Sequence, residues 1–385
     1  MFYYSGFKEK ENPQLEPEIL RRVIPQADFF SEKKGDPPFY EAYIEEGNNV
    51  KKVGICFLTT EVFPEESGYG GPIEVLVGLD MRGVITGIYI VFHRETESYV
   101  RPMYEPWFTD QFRGKGVWDA LTPGKDIQGI TRATITSDAV ARVVRRSART
   151  MASRYLGIEL PEEAEEKLFI PWIDVSIISA LFIIASIGLV TGKRVFLWIG
   201  LGGGFAWLGV IKVSPLSTVH FINLLMGNIP SKSQGIFLYV LIGASVMTAL
   251  ILGRVYCRGV CPFGALQDFM HIVSPLSSMV KIRFMSESSI GKMGNMRFVV
   301  LWGIVAGAFL IGDSKVAAVE PFVFLFNMRG GVFAWALIGV VLFWGLFYRR
   351  FWCRFFCPVG AALQLLTKLS PVRIWRGKDE DSFRI

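Results

Sequence analysis

Hydrophobic positions fall into two regimes along the chain. Up to about residue 168 polar residues interrupt them every few positions; from Phe169 onward they merge into long apolar runs. In the first regime, alternating or β-branched stretches at Val53–Thr60, Pro72–Leu79 and Val84–Phe92 predict strands. Turn signals separate them at Ser67–Pro72 (SGYGGP) and Asp80–Gly83. A helix is predicted over about Asp138–Leu156, capped by Ser137 or Asp138. In the second regime, runs at about Phe169–Thr191, Val195–Val213, Gly235–Gly253, Met296–Gly312 and Val332–Tyr348 approach the ~20 residues that span a bilayer. The pattern predicts an α+β domain followed by an α-helical polytopic membrane domain with about five spans. Its expected divisions are an N-terminal extension (1–36), the α+β domain (37–160), an acidic linker (161–168) and the membrane domain (169–385).

Charge refines this picture. The net charge of +6 does not indicate nucleic-acid binding, because Lys and Arg in the second half sit at the ends of apolar runs rather than on a soluble face. Lys193, Arg194, Arg254, Arg258, Lys281, Arg283, Lys292, Arg297, Arg349, Arg350, Arg354 and the C-terminal tail fall on one side. Only Lys212, Lys232, Lys315 and Arg329 fall on the other. The richer side is expected to be cytoplasmic and the α+β domain extracytoplasmic. The N-terminus reads as neither signal peptide nor anchor helix. Delivery is therefore expected to need a short N-terminal extension or a partner-assisted route. Within the second span Gly200, Gly202, Gly203 and Gly204 allow close approach of a helix or a flat cofactor.

Four of the five cysteines lie in two matched segments. Tyr256–Leu276 reads YCRGVCPFGALQDFMHIVSPL and Trp352–Val372 reads WCRFFCPVGAALQLLTKLSPV, an internal repeat. Cys257 and Cys261, like Cys353 and Cys357, are four apart, so a helix would place each pair on one face. A proline follows each second cysteine, as in the Cys-x-x-x-Cys-Pro run of ferredoxins. Four thiolates suit one iron–sulfur cluster, [2Fe–2S] or [4Fe–4S]. Structural zinc, metal-free redox dithiols and plain buried cysteines are the alternatives. Cys56, in the strand-like VGICFL, reads as core.

In the first half, Asp126–Ala139 (DIQGITRATITSDA) resembles the FMN-binding domain of the NosR/NirI proteins. Related domains occur in flavin subunits of Na⁺-pumping NADH:quinone reductase and the Rnf complex. Ser67–Asp80 resembles that family's glycine loop, with Gly70 and Gly71. Val84–Thr96 resembles its strand and Glu-Thr element, with Glu95 and Thr96. Trp107, Phe112, Gly114 and Lys115 resemble its Trp…Phe-x-Gly-Lys stretch. The resemblance implies FMN esterified to Thr134, with Thr131, Ala133 and Thr136 beside it. Arg132 and Gln128 depart from the family's glycine and aspartate. Local chemistry agrees, since the start of a helix favours phosphate.

The order FMN domain, spans, two cysteine motifs is similar to NosR-type and reductive-dehalogenase-associated membrane flavoproteins, from about residue 37 to 372. It implies a multi-pass protein of a bacterial cytoplasmic membrane. Such a protein would pass electrons between quinol, or a cytoplasmic donor, and an extracytoplasmic redox partner or larger membrane complex. The rival expectation is a membrane redox sensor acting through its cysteine pairs.

Overall fold

The computed structural model describes residues 15–64, 66, 68, 71–93, 100–130, 134–160, 171–227, 232–274, 294–312, 314–317 and 319–369. Gly70, Glu95, Thr96, Thr131 and Ala133, the expected linker and the C-terminal tail lie outside the described residues. The chain divides into two compact units. One reaches Lys167 and includes Asn223–Lys232; the other holds Leu168–Ile222 and Ser233 onward.

The first unit is α+β. Its described elements are α1 (Pro17–Val23), β1 (Phe29–Phe30), β2 (Tyr40–Glu46), β3 (Asn49–Leu58), α2 (Thr59–Val62), β4 (Ile73–Asp80), β5 (Ile85–His93), α3 (Pro106–Thr109) and α4 (Thr134–Tyr155). The strands form an antiparallel meander in the order β1-β2-β3-β4-β5. Because strand side chains alternate in direction, Ile55 and Phe57 point to one face while Cys56 and Leu58 point to the other. The first face packs with Val140, Val144, Ala148 and Met151 of α4. The second packs with Leu20 and Val23 of α1. Both faces are thus covered, and Cys56 is fully buried, its thiol pushed up by burial.

The stretch expected as an extension contributes to this fold. Phe29 pairs with Tyr43 and Phe30 with Ala42. α1 lies over a notch made by Gly78 and Gly87, which are paired across β4 and β5. A methyl on either glycine would press on the backbone of Val23. Thr86 Oγ1 donates to the Val23 carbonyl 2.5 Å away, tying the end of α1 to the sheet.

The second part is helical. Its described helices are α5 (Trp172–Thr191), α6 (Arg194–Gly204), α7 (Thr218–Leu225), α8 (Lys232–Ile251), α9 (Val255–Gly259), α10 (Pro262–Val273), α11 (Met296–Ile311), α12 (Pro321–Asn327), α13 (Val332–Phe347), α14 (Phe351–Phe355) and α15 (Pro358–Leu369). α6 continues as π-helix over Phe205–Ile211. α5 and α6 fold back on each other: Lys212 Nζ, at the far end of that π-helix, reaches Asp174 Oδ2 in the first turn of α5 at 2.7 Å.

Among the described residues, two helices are long and apolar enough to cross a membrane, Trp172–Thr191 and Arg194–Ile211. Pro321–Asn327 and Val332–Phe347 qualify only as a pair bent by 107°. Ile236–Ile251 and Met296–Ile311 are apolar but shorter. Of the about five expected spans, length and composition therefore support two, or three with the bent pair. For Met296–Ile311 the reason is length: 16 residues at ~1.5 Å rise give ~24 Å, short of a ~30 Å hydrocarbon layer.

Candidate functional sites

Three sequence-predicted pieces of the flavin region meet in the first unit. α4 begins at Thr134, four residues before the expected start, so Ser137 is inside the helix rather than capping it. Ser137 Oγ, fully buried, instead accepts from the Ile130 N–H at 3.4 Å. Thr136 is buried on the same turn. The glycine loop approaches this helix through an ion-pair chain. Arg142, almost wholly buried, links Glu66 Oε2 and Asp138 Oδ2, each at 3.2 Å, and Arg146 also pairs with Glu66. Within the loop the Gly68 N–H donates to the Gly71 carbonyl at 2.8 Å, and Gly71 takes a positive φ of 135° that disfavours any side chain.

The third piece is the stretch after α3. Gln111 Oε1 accepts from the Gln128 N–H at 2.6 Å, so the departure at Gln128 is pinned through its backbone. Asp126 folds the turn before it, accepting from the Leu121 and Thr122 N–H groups at 2.8 Å, with Lys115 at 3.7 Å. Burial opposes its charge, but those N–H donors and Lys115 together hold its carboxyl below the ordinary aspartate range. Phe108 and Phe112 are buried beneath this stretch, while Trp107 stays exposed beside Phe108.

In the second unit Cys257, Cys261, Cys353 and Cys357 line a single cavity together with Leu216, Tyr256, Phe322, Arg254 and Arg350. The motif is not one continuous helix, as the four-residue spacing suggested. The first cysteine of each pair sits in a five-residue helix, α9 or α14, and the second starts a twelve-residue helix, α10 or α15. Proline occupies the first position of the longer helix, where its missing N–H costs nothing. The cysteine sulfur then accepts from an N–H of the first turn: Gly264 to Cys261 at 3.5 Å and Gly360 to Cys357 at 3.4 Å. Each pair is aligned across a helix break.

Residues that no sequence motif singled out support the cysteine segments around this cavity. Gln267 Nε2 donates to Cys353 Sγ at 3.5 Å, and its Oε1 accepts from the Trp352 N–H at 3.1 Å, joining the two segments. The Tyr256 hydroxyl, fully buried, accepts from the Leu216 N–H at 2.9 Å. Buried Glu320 caps the start of α7, accepting from the Thr218 N–H at 3.2 Å and the Thr218 hydroxyl at 2.6 Å. Gly200 and Gly204 of α6 face the cysteine loop. A methyl on either would run into the carbonyl oxygens of Gly259 or Val260. Of the two readings for that glycine run, close backbone approach is realised, against α9.

The donor set fits an iron–sulfur cluster. Four sulfurs share one cavity, three of them receive N–H groups, and arginines stand beside them. Among the described residues, no three His, Cys, Asp or Glu side chains gather as they would on one metal ion.

Comparison with known proteins bears on both sites. Residues 68–149 match the FMN-binding domain family, and residues 234–278 and 330–378 match the 4Fe-4S binding domain family. NirI of Paracoccus denitrificans is 30% identical over 166 residues, 41% of this chain and 24% of NirI. Regulatory protein NosR of Pseudomonas aeruginosa is 26% identical over 187 residues, 46% of this chain and 25% of NosR. A component of the proton-translocating ferredoxin:NAD(+) oxidoreductase complex of Clostridium ljungdahlii is 33% identical over 160 residues, 39% of this chain and 80% of that component. The chain thus spans about a quarter of NirI and of NosR. A flavin-binding sheet domain joined to an apolar helical unit with a four-cysteine cavity defines an FMN- and iron–sulfur-binding membrane protein. Within that class, the chain belongs to the NosR/NirI type.

Proposed function

We propose that the chain transfers electrons between a quinol pool or cytoplasmic donor and an extracytoplasmic redox partner, as part of a larger membrane complex. The observation that carries this reading is the single cavity lined by all four motif cysteines, in a chain that also has an FMN-binding domain. When bound, FMN supplies one- or two-electron chemistry and the cysteine-ligated cluster supplies one-electron steps. The protein's own part is to hold each group and keep it from solvent. Cys257, Cys261, Cys353 and Cys357 supply four thiolates to one shared centre.

For the flavin, the first turn of α4 offers N–H groups and the positive end of the helix dipole to a phosphate. Thr134 is the proposed attachment point, with Thr131, Ala133 and Thr136 around it. Gly70, Gly71, Glu95 and Thr96 are the further FMN-binding residues of this proposal. In the proposed topology about five segments cross a bacterial cytoplasmic membrane, with the cysteine motifs inside and the flavin outside. Centres on opposite faces of a ~30 Å layer need a relay, and a quinone or partner subunit fills that role.

The test is metal analysis with optical and EPR spectra of the purified protein. A carrier contains stoichiometric iron and bleaches reversibly; iron-free protein with a titratable dithiol would move the assignment to a redox sensor. For the flavin bond, a denaturing gel under ultraviolet light should show a fluorescent band that disappears in Thr134→Ala. Disappearance in Thr136→Ala alone would move the attachment by two positions, and a dark wild-type band would mean that FMN is held without a bond.

A further inference from the structure

The two cysteine segments are tied together by one buried ion-pair network with a distinct asymmetry. Arg350, the residue that leads into α14 and 7% exposed, takes a positive φ of 54° where the chain turns into that helix. Its NH1 donates to the Cys257 carbonyl at 2.8 Å. Its Nε and NH2 donate to Asp268 Oδ2 at 2.9 and 2.6 Å. Asp268, on α10, is fully buried and also accepts from Arg349 Nε at 2.8 Å. Arg350 therefore reaches from the second segment to the first, touches the carbonyl of a cysteine and borders the cavity. Its counterpart by the repeat is Arg254, which also borders the cavity, but the counterpart of Asp268 is Gln364, which carries no charge.

We propose that Arg350 is a positioning residue of the cysteine centre, locked by Asp268, which fixes Cys257 relative to Cys353 and raises the centre's reduction potential with its fixed charge. This rests on the iron–sulfur reading above. The argument is electrostatic and geometric. A centre with four thiolates is anionic and becomes more so on reduction, so a permanent cation in a dry wall favours the reduced form. A planar guanidinium satisfies a carboxylate and a carbonyl at once, which an ammonium cannot do in the same geometry. Asp268 works against that charge while holding the fork in place.

The two partners therefore make opposite predictions for the potential. In a redox titration of the purified full chain, Arg350→Gln should lower the midpoint of the cluster signal and Asp268→Asn should raise it. Arg350→Lys should keep the midpoint near wild type, because the charge remains. All three should lose iron to a chelator faster than wild type, on the order of 10-fold, because each breaks the fork. A purely structural tie would move both midpoints the same way or neither, and that result, or unchanged iron retention, would overturn the proposal. If Arg350→Gln does not accumulate, Arg350→Lys and Asp268→Asn decide the matter between them. Wild-type protein without iron would overturn the iron–sulfur reading and this inference together, whereas unmoved midpoints in iron-loaded variants would overturn this inference alone.

Discussion

Single residues in this chain resolve conflicts between burial and charge. Glu41 points inward from β2 and is 8% exposed, yet it is held ionised. Burial works against the charge, but Lys34, Lys52 at 2.7 Å and the Tyr43 hydroxyl outweigh it and bring the carboxyl down to about 2. A depressed carboxylate stabilises the fold fully above its unfolded value, near 4.5, and loses that contribution as pH falls through its folded value. The stability advantage of wild type over Glu41→Gln should therefore be constant at neutral pH. It should shrink below about pH 4.5 and vanish near pH 2, followed by denaturant unfolding of the flavin domain's fluorescence. Little of this could be read from the sequence. The run YEAYIEE shows an acidic residue beside a tyrosine, but not that lysines from two other segments close over it. Near Thr134 the helix itself could be read, but its start was placed four residues late and its cap with it. β-branched Thr134, Ile135 and Thr136 discourage a helix locally, and packing of α4 on the sheet overrides that preference.

At the scale of elements, three of the five strands were legible because their alternation is strong, while β1 and β2 were not expected. β3, β4 and β5 fall within a few residues of the expected stretches. α1 and β1 were not, because docking of α1 depends on two glycines meeting across the sheet, a coincidence of register rather than of local pattern. Gly78→Val should force α1 off the sheet and cost about 1–3 kcal/mol, measured by chemical denaturation of the full chain. The cysteine motifs show the same division. Their residues and spacing could be read, while the helix break that aligns them and the cross-segment bonds of Gln267 and Asp268 could not. Substituting Ser for any one of Cys257, Cys261, Cys353 or Cys357 should abolish or severely alter one and the same iron signal. FMN content should hardly change. Loss of half the iron with a normal residual spectrum would point to separate centres.

For the whole molecule, the division into a polar first half and an apolar second half was visible in hydropathy alone, and two compact units follow it. The number of crossings was harder to read, because an apolar run does not reveal where its helix bends or stops. Reporter fusions after Lys193 and Lys378 should read cytoplasmic and one near Lys232 extracytoplasmic; the reverse pattern would put the flavin inside the cell. The contact of Gly200 and Gly204 with the carbonyls of Gly259 and Val260 has a consequence for speed as well as for architecture. Backbone set against backbone leaves the cysteine loop no slack, so its sulfurs have little freedom to shift when an electron arrives. A cluster held by these sulfurs would then reorganise little on electron transfer. Gly204→Val should slow electron exchange in a stopped-flow reduction even in molecules that still carry their iron, because the loop would have to rearrange with each transfer.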